Sequence, residues 1–224
     1  MTNTIETNVD KYALTLDTSM PLDIFDFCIK KSEKDKKEMI SSGFTGKSFI
    51  DDRMYLPDAI INTCNKWLDR LGLPNLDYAV LFQKRDYFEI KNSSIHVDYN
   101  YEYNDVSKCA LNIPIKNCED TSIAWWTGNY TSKLTYSDVI CGESDVYDDK
   151  HTIPSMSIEW HDEPVFITSY DIPNRPHICK IDVPHSVTAY YDFRVMLSLR
   201  LVGNPDFEEV KNMLSNKETP HDFD

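Results

Sequence analysis

The sequence predicts a mainly β protein with helices at its N-terminal end, closed as a double-stranded β-helix, or jelly roll. Three observations carry that reading. From residue 78 onward the apolar pattern repeats every two residues through about ten short runs, with no helical stretch between them. Before residue 75 two segments carry a helical pattern instead. Glycine is scarce, 6 residues against 11 proline and 13 tyrosine in a chain of 224, which leans towards strands and turns. Strands without helices between them cannot build parallel βαβ units. They pair antiparallel and close as a sandwich, barrel or double-stranded β-helix, which removes exposed edges. The length suits one large domain. The expected division of residues 1–224 is a helical front section over 1–75, a jelly-roll core over 78–202, and a C-terminal helix with an acidic tail over 203–224.

Residues 1–20 are polar and read as a loosely held arm with a short strand near Tyr12–Leu16. Pro21 opens PLDIFDFCIKKSEKDKKEMI, apolar early and charged later, which predicts a helix ending before Gly43. A clearer helix follows. Pro57 stands at its start, Ile60, Ile61, Cys64, Trp67, Leu68 and Leu71 form one stripe, and Gly72 and Pro74 close it. A stripe that wide, carrying a tryptophan, belongs against a core as a scaffold. The β-rich runs then come in order: YAVLFQK, YFEI, SIHVD, KCALNIPI, SIAWW, SKLTY, MSIEW, PVFITSY, HICKIDV, HSVTAYY and RVMLSLRLV. Turn clusters at 91–94, 117–121, 141–149 and 172–176 separate them, and those at 117–121 and 141–149 are long enough for a lid. FEEVKNMLSN predicts a last short helix.

Composition narrows the function classes. With 41% hydrophobic and 12% aromatic residues the chain is not disordered or low in complexity. Lys+Arg 23 against Asp+Glu 37 gives a net charge of −14, which opposes a phosphate backbone as a general partner. No run approaches the ~20 apolar residues of a membrane span. The first twenty residues carry neither a basic nor an apolar signal region, so the expected location is intracellular, in the cytoplasm (of the host cell, for a viral protein). Six cysteines at irregular spacing, with no CxxC, then read as reduced, mostly buried thiols. The same absence makes the glycosylation-like triplets at Asn92 and Asn129 chance matches.

The chemistry centres on Ile95-His96-Val97-Asp98. In a strand, residues two apart face the same side, so His96 and Asp98 aim an imidazole and a carboxylate at one point. His185 enters a late β-run and supplies a third ligand. Two histidines and a carboxylate form the facial set that leaves three positions of an octahedron open and suits Fe(II). Beyond His185, Arg194, Met196, Ser198 and Arg200 share one strand face, opposite apolar Val195, Leu197, Leu199 and Leu201. The arginine face looks either to solvent or to a buried anionic ligand, which a guanidinium grips bidentately. His161 and Glu163 form a competing pair. They stand too close to His185, because four strands at ~5–6 residues each plus turns need upwards of ~30 residues, and His161 reads as a surface residue. His177 shares strand parity with His185 and reads as a satisfied structural histidine. His151 and His221 lie in acidic, polar segments and read as solvated. One of Trp125 and Trp126 is expected to face the interior.

The order His96-x-Asp98, His185, Arg194, on this strand pattern behind a helical section, resembles the Fe(II)/2-oxoglutarate-dependent oxygenase superfamily. LNIPIKNC around Asn112 and VPHSV…R…LSLRL are similar to small oxygenase-like proteins of phages and marine microbes, and to aspartyl- and prolyl-hydroxylase-like branches. The resemblance covers roughly residues 78–202. It implies iron on His96, Asp98 and His185, 2-oxoglutarate as co-substrate held by Arg194 with Arg200 as helper or substitute, and ascorbate as an accessory reductant. It also implies decarboxylation of the co-substrate coupled to hydroxylation of a protein side chain or small molecule. The rival expectations are a non-catalytic jelly-roll binding module and a cupin-type metal enzyme that ignores 2-oxoglutarate.

Overall fold

The computed structural model describes residues 9–41, 48–51, 53–84, 95–100, 103–138, 152–188 and 193–216. Two helices precede most of the strands. Helix α1 spans Leu22–Ser41 and α2 spans Asp58–Leu71. Pro57, with its fixed φ, sits at the N-cap of α2 rather than inside its first turn. Gly72 ends α2 in the left-handed region at φ 74°, where its N–H bonds the Asp69 carbonyl and the Leu73 N–H bonds that of Leu68.

The strands are β1 Ala13–Thr15, β2 Ser48–Asp51, β3 Leu76–Lys84, β4 His96–Val97, β5 Tyr99–Asn100, β6 Asp105–Val106 and β7 Cys109–Lys116. They continue with β8 Ser122–Thr127, β9 Tyr130–Asp138, β10 Thr152–Trp160, β11 Val165–Asp171, β12 His177–Lys180, β13 His185–Thr188 and β14 Arg194–Leu201; helix α3 spans Phe207–Asn216. Pairing is antiparallel throughout, in two six-stranded sheets. The first runs β1-β12-β7-β14-β3-β2, the second β11-β8-β13-β4-β10-β9, and β5 and β6 pair apart from both.

Period-two patterning explains how the layers sort. Along β14 the residues Val195, Leu197, Leu199 and Leu201 join α1 (Ile24, Cys28), α2 (Cys64, Trp67, Leu68) and α3 (Phe207, Val210) in one apolar core. The wide stripe of α2 therefore packs on the first sheet, as its spacing predicts. The alternate residues face the second sheet, where Met196, Ala110, Cys179, Ile123 and Trp125 form a second cluster. Every residue of β14 is buried. Its flanks are β3, paired through Met196↔Phe82, and β7, paired through Ser198↔Asn112, with a register shift at Arg200/Leu201 towards β3 and at Val195/Met196 towards β7.

Three expectations change. The N-terminal arm is not loosely held over its described part: β1 pairs with β12, and Ala13 and Leu16 are buried. A three-residue strand gains its place from pairing with a neighbour that no local pattern announces. The front section also contributes β1 and β2 to the two edges of the first sheet, so it is helical only in part. The HICKIDV run yields only the four-residue strand β12, and the described part of HSVTAYY is β13. The YFEI run, the turn clusters at 91–94 and 141–149, Cys141, His151 and His221 lie outside the described residues. The other five cysteines are free and buried, and among the described residues no helix is long and apolar enough to cross a membrane.

Candidate metal centre

Strands β4 and β13 are neighbours in the second sheet, and their single paired position is His185↔His96. Cross-strand partners share a face, so the two imidazoles stand side by side with ring centroids 4.6 Å apart. Asp98, one residue past β4, points to the same place. Its Oδ1 lies 3.4 Å from His96 Nε2 and 3.8 Å from His185 Nε2. One donor atom from each of the three residues lies within 4.8 Å of the others. A facial set with bonds of about 2.1 Å spaces its donors about 3 Å apart, so the three need close only slightly on a cation. The cluster can coordinate a divalent metal ion, as the HxD…H spacing predicts.

Neighbouring groups fix the state of each donor. The His185 Nδ1–H donates to the Val183 carbonyl at 2.9 Å, which places the lone pair on Nε2, facing the centre. Burial, followed by the charge of His96, lowers the His185 pKa to about 4 and keeps the ring neutral at physiological pH. Burial opposes ionisation of Asp98. The His96 hydrogen bond and the Arg200 charge outweigh it and hold the carboxyl well below its usual range. The donor set thus includes a neutral His185 imidazole and an Asp98 carboxylate, with the His96 imidazole beside them. His185 is buried, while the His96 side chain is 39% exposed, so the centre opens to solvent on the His96 side.

The two arginines part company here. Arg200 donates from Nη2 to Asp98 Oδ2 at 2.7 Å and from Nη1 to Ser198 Oγ at 2.6 Å. Ser198 in turn donates to Asn112 Oδ1 at 2.5 Å. Arg200 therefore holds the carboxylate oxygen that faces away from the imidazoles and leaves Oδ1 for a metal. Ser198 and Asn112 were not predicted as part of the site. The parity of Ser198 with the arginines was the available signal, whereas the position of Asn112 depends on the pairing of β7 with β14. Arg194 does not touch the triad. Six residues at ~3.3 Å each place its backbone about 20 Å along the strand from that of Arg200. It is buried, with Cys118 as a side-chain hydrogen-bond partner and its Nε without one. Burial alone pulls its pKa down, against the Cys118 contact.

The competing ligands fall away. His161 and Glu163 lie exposed in the turn after β10. Trp125 is the interior tryptophan, fully buried and paired with His185 across β8 and β13, whereas Trp126 turns outward onto Phe166. His177 is buried, yet not satisfied: its Nδ1 meets the Arg175 carbonyl while Nε2 has no partner. A surface cavity of about 590 Å³, lined by Asp17, Phe25, Pro114 and Arg175 among others, contains none of the triad residues.

Comparison with models of known protein families, with curated proteins and with solved structures yields no match to this chain.

Proposed function

We propose that this chain is an Fe(II)- and 2-oxoglutarate-dependent dioxygenase acting on a protein side chain or small molecule. The observation that carries the reading is the convergence of His96, Asp98 and His185, two from β4 and the residue after it and one from a late strand, with His185 neutral and Asp98 ionised. Strand order supports it. The strands β3-β14-β7-β12 of one sheet and β11-β8-β13-β4 of the other follow the order expected of a double-stranded β-helix, with the chain crossing repeatedly between sheets.

His96, Asp98 and His185 would hold the metal by three donors on one side and leave the other side for ligands. When bound, iron with 2-oxoglutarate supplies the oxidising chemistry, consuming dioxygen and releasing succinate and carbon dioxide. Arg200 keeps Asp98 oriented and ionised. Arg194 is the better anchor for the distal carboxylate, because Arg200 already has partners on both terminal nitrogens and Arg194 keeps a buried, unpaired Nε. Trp125 walls the interior beside His185 and keeps water from it.

Succinate release from 2-oxoglutarate in the presence of Fe(II) and ascorbate tests the reading, alongside an anaerobic titration of Fe(II) protein with 2-oxoglutarate. A weak visible charge-transfer band and succinate formation are the expected results. Metal binding with no response to 2-oxoglutarate would assign a cupin-type enzyme, and failure to bind either would assign a non-catalytic module.

A further inference from the structure

Two buried polar atoms on the inner face of the first sheet lack hydrogen-bond partners: Arg194 Nε on β14 and His177 Nε2 on β12. Buried polar groups are almost always paired, so an orphan marks a place where a ligand or water belongs. The two lie on the same face of the sheet, within electrostatic reach of one another. His177 is fully buried and pairs with Asn112, which pairs in turn with Ser198 of β14, so its ring lies in the row of Ser198, four residues along the same strand face from Arg194. We propose that His177 is the second side chain to grip the distal carboxylate of the co-substrate, its Nε2–H and the Arg194 guanidinium taking the carboxylate together. This rests on the dioxygenase reading above and adds a specificity-determining residue to it.

Hydrogen-bond chemistry dictates how the contact works. The Arg175 carbonyl at 3.1 Å can only accept, so Nδ1 carries a proton and Nε2 of the neutral ring is a lone pair. A lone pair repels a carboxylate. The contact therefore requires a proton on Nε2, taken from solvent as the ligand arrives. Burial, and then the Arg194 charge, lowers the pKa of the empty site's His177 to about 4. An incoming carboxylate removes both obstacles by neutralising Arg194 and accepting from the imidazolium. The groups facing the ring from packed elements are Arg194 on β14, Asn112 on β7, Thr15 on β1, and on β11 Tyr170, whose hydroxyl is hydrogen-bonded to Thr15. None is a carboxylate, so no resident anion pre-charges the imidazole.

The test measures binding of two 2-oxo acids to the Mn(II)-loaded full chain by calorimetry: 2-oxoglutarate, and 2-oxobutyrate, which lacks the distal carboxylate. Both ligands share the metal-binding end, so the ratio of their affinities cancels titration at the metal. His177→Phe should weaken 2-oxoglutarate roughly tenfold or more and leave 2-oxobutyrate unchanged. In the wild type the affinity ratio should rise as pH falls from about 8 to about 6, and His177→Gln, which offers an amide N–H without titrating, should restore part of the affinity and abolish the slope. Equal weakening of both ligands, or an unchanged ratio in His177→Phe, overturns the role of His177. Absence of any wild-type preference for 2-oxoglutarate overturns the underlying reading as well. If His177→Phe does not fold, the imidazole nitrogen resonances of the wild type decide. Nε2 must move to its protonated position with 2-oxoglutarate and not with 2-oxobutyrate, and a stationary signal refutes the inference.

Discussion

The two ends of β14 carry the same side chain in opposite circumstances. At one end Arg200 has a partner on each terminal nitrogen, Asp98 and a serine that is itself bound to Asn112. At the other end Arg194 is buried with one nitrogen unpaired and a histidine nearby that is also incomplete. A guanidinium with its partners in place positions something. One that lacks a partner in a dry interior is destabilising until a ligand arrives. Two arginines on one strand face are equivalent in sequence, and their hydrogen bonds make them different tools.

The largest expected effect lies at the centre they flank. His185→Ala or Asp98→Ala should abolish Mn(II) binding in calorimetry, a greater loss than the ~10–100-fold that changes behind the ligands cost. Next, Arg200→Met should weaken Mn(II) by about 10–100-fold, since Asp98 loses the group that orients it. Arg194→Met should leave Mn(II) affinity within about twofold while weakening 2-oxoglutarate roughly tenfold or more. If both variants lose metal equally, the contrast between the two ends collapses. Smaller still, Ser198→Ala should lower the stability of the apo protein by about 1–2 kcal/mol in urea unfolding and weaken Mn(II) less than Arg200→Met does.

Protonation adds a test of both ends at once. The pKa values of His177 and His185 each fall from the ordinary 6.5 to about 4 in the folded protein, both chiefly through burial. The unfolded chain therefore binds these protons first. Their contribution is fully present above about pH 6.5 and is lost as pH falls towards 4. Each shift is worth roughly 2–4 kcal/mol. Urea unfolding of the metal-free protein should show stability declining across that window, and His177→Gln should flatten part of the decline.

How much of this was legible in the sequence follows from the range of each interaction. The HxD pair is local, because strand parity alone puts His96 and Asp98 on one side. The alternation along RVMLSLRLV likewise announced a face with two arginines and an apolar face opposite. Which arginine meets the triad is a matter of pairing between β14 and its neighbours and of the path of β4, and no spacing encodes it. The edge strands β1 and β2 are short and weakly patterned, so their place in the first sheet comes from partners distant in the chain. For the same reason His177 read as an ordinary core histidine. Its missing partner is visible only once the Arg175 carbonyl has claimed the other nitrogen.

Strand β14 is late in the chain yet central in its sheet, wedged between β7 and β3. Until residues 194–201 are synthesised, β7 and β3 have no shared neighbour, and the helices α1 and α2 have only part of the apolar layer they cover. Such long-range pairing is slow to form and leaves unsatisfied strand edges in the meantime. The nascent chain would therefore emerge with α1, α2 and most of its strands made and no finished core to close them, and the segment that joins the first sheet is the same one that delivers both guanidinium groups.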